Sequence, residues 1–179
     1  MNVGLFPISA KPYHVGHHSV MEIASKENDQ VVLFVSLSDR KRKGEFPVSG
    51  ESMRIIWDKH ISPVLPENVR VRYVVNPVRS IYEMLESASA SELDTVFTVY
   101  SDNVDINRNF PDISRNKYFP RLHENNLVRF KGVERGKDSP DVSGTKMRAA
   151  LQCGDKLAFK AGCVPRMDSE EIFNILCSN

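Results

Sequence analysis

Cysteine is scarce. Cys153, Cys163 and Cys177 are odd in number and form no CxxC pair. That excludes a disulfide scaffold and a cysteine zinc site, and it points to reduced thiols in a cytoplasmic setting. Long apolar runs are missing as well. None approaches the ~20 residues that cross a bilayer, so no membrane partner is expected. Met1–Ser9 is apolar but has no basic leader and no extended apolar stretch, so a secretory signal is not expected either. Charge of one sign is not in excess: 24 Lys+Arg stand against 23 Asp+Glu, a formal net charge of +1. Nothing global therefore draws the chain onto nucleic acid. Internal repeats and low-complexity stretches are absent.

What is there is a globular composition, 41% hydrophobic and 26% charged over 179 residues. It suits one domain, 1–179, built on one core. Apolar runs alternate with helical patterns. Asn2–Ile8, Val31–Leu37, Val69–Val75, Asp94–Tyr100 and Leu127–Val133 read as strands. Val31–Leu37 is nearly continuous, as in a strand covered on both faces, whereas Val69–Val75 alternates and suits an edge. Between them Val15–Lys26 has helical spacing. Ser49 can cap a helix carrying Met53, Ile56, Trp57 and Ile61, and Pro77 opens another with Ile81, Met84, Leu85 and Ala88. The pattern predicts an α/β fold: a Rossmann-like parallel sheet of about five strands with helices on both faces. Ser101–Glu124, rich in Asn, Asp and Arg, reads as a long loop with at most one short helix. The tail 155–179 reads as helical, with Ile172, Phe173, Ile175 and Leu176 as the face that packs back.

Two segments carry chemistry. Lys11-Pro12-Tyr13-His14-Val15-Gly16-His17-His18 lies between the first strand and its helix, where open α/β sheets bind ligands. His14 and His17 are three apart, with Gly16 letting the backbone turn tightly and approach a ligand. Both imidazoles can then face an anion at a helix N-terminus. A metal reading wants a third ligand and a carboxylate partner, which this segment lacks. The second segment is Asp141-Val142-Ser143-Gly144-Thr145-Lys146-Met147-Arg148. Ser143 is a candidate N-cap, Gly144 and Thr145 offer amides and a hydroxyl, and Lys146 and Arg148 offer cations for a polyphosphate. The plain alternative is an ordinary helix cap. The basic run Arg40-Lys41-Arg42-Lys43 sits after the second strand, at the same sheet edge. It can draw in a phosphorylated substrate over ~8–10 Å, or be a solvated loop.

Pro12-Tyr13-His14-Val15-Gly16-His17 resembles the PxHxGH signature of the nucleotidylyltransferase superfamily, and Val142–Arg148 resembles its late (I/V)S(G/S)TxxR signature. Together they stand in the family's order across roughly Met1 to Leu151. Phe46–Ile56 is similar to the family's NPFTAGERxxMI stretch, and Val99–Asn103 to its strand-end loop. The likeness is closest to nicotinamide-nucleotide adenylyltransferases and to compact phage-encoded members. The chain departs from the family at Ile8, Ala10 and Lys11, where a Gly, a Phe and an acidic residue or Gln usually open the first motif. Ser143-Gly144-Thr145 also differs from the Ser-Thr-Thr that cytidylyltransferases tend to carry.

The resemblance implies transfer of AMP from ATP to a phosphate monoester with release of pyrophosphate, nicotinamide mononucleotide being the first acceptor to try. A cytidylyltransferase acting on a phosphorylated alcohol or sugar, and a non-catalytic nucleotide-binding module, stay open. It implies catalytic roles for Lys11, His14, His17 and Arg148, and nucleotide binding by Ser9, Ala10, Gly16, Ser143, Gly144, Thr145 and Lys146. Arg40, Ser101, Asp102 and Asn103 would meet the acceptor, with Trp57, Tyr100, Phe110 and Tyr118 as candidates to stack a flat ring. Mg²⁺ is expected to arrive with ATP, no protein carboxylate cage being evident. Expected partners are thus small nucleotide and phosphate-monoester substrates; self-association stays open.

Overall fold

Side-chain alternation along the strands explains the layers. In β1 (Asn2–Ile8), Val3 and Leu5 enter one buried apolar cluster while Phe6 and Ile8 enter another. In β2 (Gln30–Ser36), Val31, Leu33 and Val35 face one cluster and Phe34 the other. A strand that buries both faces sits inside a sheet covered on both sides. The computed structural model describes residues 1–91, 93–134, 137 and 140–178. β3 (Val69–Val74), β4 (Val96–Ser101) and β5 (Val128–Gly132) complete a five-stranded parallel sheet of order β3-β2-β1-β4-β5. This is a Rossmann-like α/β fold. The alternating Val69–Val74 lies at an edge, as its pattern predicts.

Helices α1 (Val15–Glu27), α2 (Gly50–Ile56), α7 (Gly144–Cys153), α8 (Lys156–Gly162) and α9 (Ser169–Cys177) supply the first cluster, through residues such as Met21, Met53, Met147, Phe159 and Phe173. On the opposite face, α3 (Pro77–Ser89) and α6 (Pro120–Glu124) contribute Ile81, Leu85 and Leu122. Ser49 caps α2 as expected, accepting from the Ser52 amide at 3.1 Å, and Pro77 occupies the first turn of α3 behind the Asn76 cap. Beyond α2 the chain passes into a π-helical turn at Trp57–Ile61. Trp57 and Ile61 are fully buried there, so Trp57 is a core residue and not a ring-stacking one.

One expectation needs correction. Ser101–Glu124 is no long loop: it folds into α4 (Asn103–Asn109), α5 (Asp112–Tyr118) and α6. Pro111 and Pro120 punctuate it, and Asp102 caps α4 through the Asp105 amide at 2.7 Å. The tail is two helices, α8 and α9, broken around Pro165, with Ile172, Phe173 and Leu176 buried as expected. Asn179 lies outside the described residues. Among the described residues no helix is long and apolar enough to cross a membrane.

The turn from β2 into α2 is held by close approach. A Cβ on Gly50 would overlap the carbonyl oxygen of Leu37, a backbone atom that cannot swing aside. The Gly50 amide also donates to Asp39 Oδ1 at 2.7 Å. We expect Gly50→Ala to lower stability by ~1–3 kcal/mol, the usual cost of forcing atoms into a packed site. Urea unfolding would read it, and an unchanged midpoint would contradict the close approach.

Candidate active site

The chain order along the sheet reverses between β1 and β4, which makes their carboxyl ends the topological switch point. A cavity of about 570 Å³ opens there, lined by Ser9, His14, Gly16, His17 and Arg40 on the β1 side and by Ser101, Asp102, Asp105 and Val133 on the β4 side. That volume is within the ~300–1,000 Å³ range of small-molecule sites. Phe6, Ile8 and Val20 form much of its apolar floor.

The two histidines begin helix α1. His14 is the N-cap residue, and its Nδ1 accepts the Gly16 amide at 3.0 Å. His17 reaches back, its Nδ1 accepting the His14 amide at 3.2 Å. This is a reciprocal capping box built from two imidazoles, in place of the usual hydroxyl and carboxylate. With each Nδ1 accepting, the neutral tautomer of each ring carries its proton on Nε2, which makes Nε2 the donor. The ring centroids are 3.8 Å apart. Tyr13 stacks on His17 at 5.5 Å and 18°, and its hydroxyl is 2.9 Å from Nδ1 of the buried His18. Burial, with Glu22 nearby, pushes the Tyr13 hydroxyl far above its ordinary range, so it stays a donor.

Gly16 lines the cavity and also makes room for the cap. It lies within α1, and a Cβ there would meet the His14 ring at 2.8–2.9 Å. The space that Gly16 leaves is taken by the imidazole, and the glycine serves the cap.

The second motif lies beside the first. Ser143 caps α7 through the Lys146 amide at 3.1 Å. Val142 stands 3.3 Å from where a Gly16 Cβ would be. Arg148, though buried, is bound on several sides: Nη1 donates to the Lys11 carbonyl at 2.8 Å and Nη2 to Thr145 Oγ1 at 3.3 Å. Its Nε lies 3.3 Å from Glu45 Oε2, without hydrogen-bond alignment. Burial and the neighbouring Arg40 push the Arg148 pKa down, while Glu45 opposes them. Glu45 also takes a bidentate pair of hydrogen bonds from Arg40, at 2.8 and 3.1 Å.

Of the residues singled out in the sequence, the cavity thus gathers Ser9, His14, Gly16, His17, Arg40, Ser101 and Asp102. Lys11, Thr145 and Arg148 stand behind it in one hydrogen-bonded group. Ala10 is buried, Ser143 and Gly144 belong to the cap of α7, and Lys146 faces Asp141 at 3.8 Å on the surface. Asn103 sits against Gly132 outside the lining. Tyr100 and Phe110 are core residues and Tyr118 is part-exposed; none of the ring-stacking candidates lines the cavity. Sequence reasoning missed Glu45 and Asp105. Asp105 could have been found as the third residue after the Asp102 cap, a position that points toward the same strand end. Asp105 is raised above the ordinary carboxylate range by burial and by Asp102 beside it. Among the described residues no group of three or more His, Cys, Asp or Glu side chains is arranged to hold a metal ion.

No family model matches this chain, and no curated protein does. Solved structures match its fold. A bifunctional NMN adenylyltransferase/ADP ribose pyrophosphatase from Francisella tularensis, complexed with AMP and a manganese ion, is 12% identical with a TM-score of 0.63, over 99% of this chain and 52% of that one. A second structure of that bifunctional enzyme gives 15% and 0.56, over 98% and 48%. Thermotoga maritima TmcAL bound with alpha-thio ATP gives 15% and 0.53, over 98% and 55%. The chain spans about half the length of the proteins it matches, and at these identities the likeness is one of fold.

Lys11 offers a direct check on the site's electrostatics. It is buried, and its Nζ donates to the Ser36 carbonyl at 2.8 Å. Burial brings its pKa down to about 8, against the pull of Asp39. Between that value and the unfolded value of ~10.4 the unfolded chain binds the extra proton, so stability gains from this group as pH rises through that window. We expect Lys11→Met to lose this rise. Equal slopes of stability against pH from 8 to 10.5 in the two proteins would show that the burial does not act as described.

Proposed function

We propose that the protein is a nucleotidylyltransferase that transfers AMP from ATP to a phosphate monoester and releases pyrophosphate. The observation that carries this reading is the pair of imidazoles capping α1, facing a cavity at the switch point of the sheet. The neighbouring folds support it, since one belongs to a bifunctional NMN adenylyltransferase/ADP ribose pyrophosphatase crystallised with AMP and another to a protein bound with an ATP analogue. An oxygen of the acceptor phosphate attacks the α-phosphorus, and the bond to the bridging oxygen of the leaving pyrophosphate breaks. The attacking phosphate is already an anion, so the protein supplies alignment and charge stabilisation with no general base. Nε2–H of His14 donates to the α-phosphate and Nε2–H of His17 to the oxygen on which charge builds. Thr145 and Arg148 serve the outer phosphates, Lys11 and Arg40 add positive potential, and Ser101 and Asp102 face the acceptor. A Mg²⁺ carried on the ATP phosphates would neutralise their charge. Asp102 and Asp105 are the only carboxylates lining the cavity among the described residues, too few to cage the ion themselves.

Pyrophosphate release tests the reading. We expect His17→Ala to lower turnover by ~10²–10³-fold, the usual cost of removing one transition-state donor. Loss of its Nδ1 cap contact adds ~0.5–2 kcal/mol of destabilisation. Near-normal turnover in the folded variant would remove His17 from the mechanism.

Substrate choice is tested in the same assay. We expect ATP to give a higher specificity constant than CTP, and nicotinamide mononucleotide or its acid form to serve as acceptor. Dinucleotide formation is read by coupling to alcohol dehydrogenase. Turnover with CTP and a small phosphorylated alcohol instead would keep the transferase and replace both substrates. Nucleotide binding with no turnover for any pair would leave a binding module.

A further inference from the structure

Glu45 sits where two arginines converge. Its carboxylate accepts the Arg40 guanidinium through both oxygens, at 2.8 and 3.1 Å, and the same Oε2 lies 3.3 Å from Arg148 Nε. Arg42 is a third cation near enough to influence both Glu45 and Arg148. Among the described residues, Glu45 is the only acid in ion-pair contact with Arg40 or Arg148. One monovalent carboxylate therefore answers several guanidinium charges. Bidentate guanidinium recognition fits carboxylate and phosphate alike, so the group that now occupies the fork has the shape of one part of a phosphate chain and less of its charge.

The segment that carries Glu45 is anchored at its base and open at its tip. Residues 40 and 48 form an antiparallel bridge, Arg40 N–H to the Val48 carbonyl at 2.8 Å and Val48 N–H to the Arg40 carbonyl at 3.0 Å. Between them the chain turns, the Glu45 amide donating to the Arg42 carbonyl at 3.1 Å, with Gly44 at φ +82°. A Cβ on Gly44 would have no neighbour within 4 Å, so this tip is surrounded by open space. The side chains of Glu45 and Arg40 are 30% and 26% exposed. The bridge holds the base of the turn while the carboxylate at its tip faces solvent in part.

We propose that Glu45 is a built-in stand-in for a ligand phosphate: it holds Arg40 and Arg148 in place while the site is empty, and a polyphosphate displaces it. This rests on the nucleotide-binding reading of the cavity, which Arg40 lines. It adds that the affinity for polyphosphate is set by competition with an internal anion. A residue that only braced the arginines would have the opposite effect when neutralised.

The test uses inorganic tripolyphosphate, so it does not depend on which nucleotide or acceptor is used. Calorimetric titration of the full chain is expected to show Glu45→Gln binding tripolyphosphate roughly ten-fold more tightly than the wild type, since a neutral amide competes less well for two guanidinium groups. Unchanged or weaker binding, or no binding by either protein, overturns the proposal. A second measurement needs no variant. Arg40's hydrogen bonds hold the Glu45 carboxyl below its ordinary range, so its carbon-13 resonance should titrate low in the free protein and return to the ordinary range with tripolyphosphate bound. A carboxyl that stays low in the complex overturns the proposal, and it also separates displacement from a long-range charge effect on affinity. If Glu45→Gln behaves as expected but no substrate pair turns over, this inference stands and the transferase reading falls.

Discussion

The site depends on how helix α1 begins. An α-helix leaves its first amides without partners inside the helix, and side chains at its start can supply acceptors. Here both acceptors are imidazole nitrogens, His14 Nδ1 and His17 Nδ1. Using Nδ1 for the backbone holds each ring in place and leaves the proton of its neutral form on Nε2. This reciprocal cap thus starts the helix, sets two imidazoles in the cavity wall and leaves room only for a glycine between them. The need for Gly16 follows from the ring, because a Cβ at that position would stand within 3 Å of it. Tyr13 adds a wall behind His17, and its hydroxyl is in turn anchored by His18. Folding and the shape of the cavity wall are therefore coupled at these residues: any change that frees an imidazole to swing also removes a cap from the helix.

The cap is useful because of where the sheet places it. In the order β3-β2-β1-β4-β5 the loops after β1 and β4 diverge, and the space between them is the cavity. The loop before α7 reaches the same corner from the far end of the chain. The bond from Arg148 to the Lys11 carbonyl joins residues 137 positions apart. Lys11 in turn donates to the carbonyl of Ser36 at the end of β2. Three strand-end segments are thereby tied by hydrogen bonds from two buried cations. Burial of this kind costs free energy unless the polar groups are paired, and the pairing seen here is mostly with backbone carbonyls.

Much of this was legible in the sequence, for definable reasons. Strands that bury both faces, such as Val31–Val35, announce themselves as unbroken apolar runs. Ser49 and Ser143 are short polar side chains ahead of periodic segments, and each does cap a helix. The histidines were visible because their spacing is local. What stayed hidden is either short or remote. Helices α4, α5 and α6 span five to seven residues each, too few for a helical period to rise above a polar composition. The pairing of Glu45 with Arg40 and Arg148 depends on a turn and on a contact across the fold, and no periodicity encodes either.

The cavity wall is divided by charge along the same line that divides the sheet. On the β1 side stand His14, His17 and Arg40, with Lys11 and Arg148 behind them; on the β4 side stand Asp102 and Asp105. The acidic pair is held together by the cap of α4, since Asp102 Oδ1 takes the Asp105 amide while both carboxylates face the cavity. Two carboxylates so placed repel each other, and burial adds to the cost, which is why Asp105 is raised above its ordinary range. Arg108 pairs with Asp105 and offsets part of this. A ligand that was anionic throughout would meet repulsion on the β4 side. One that carries its phosphates at one end and hydroxyl or amide donors at the other would find acceptors there and cations opposite. The separation arises from topology: at a switch point each wall is made by a different loop, so the charge of one side can be set without disturbing the other.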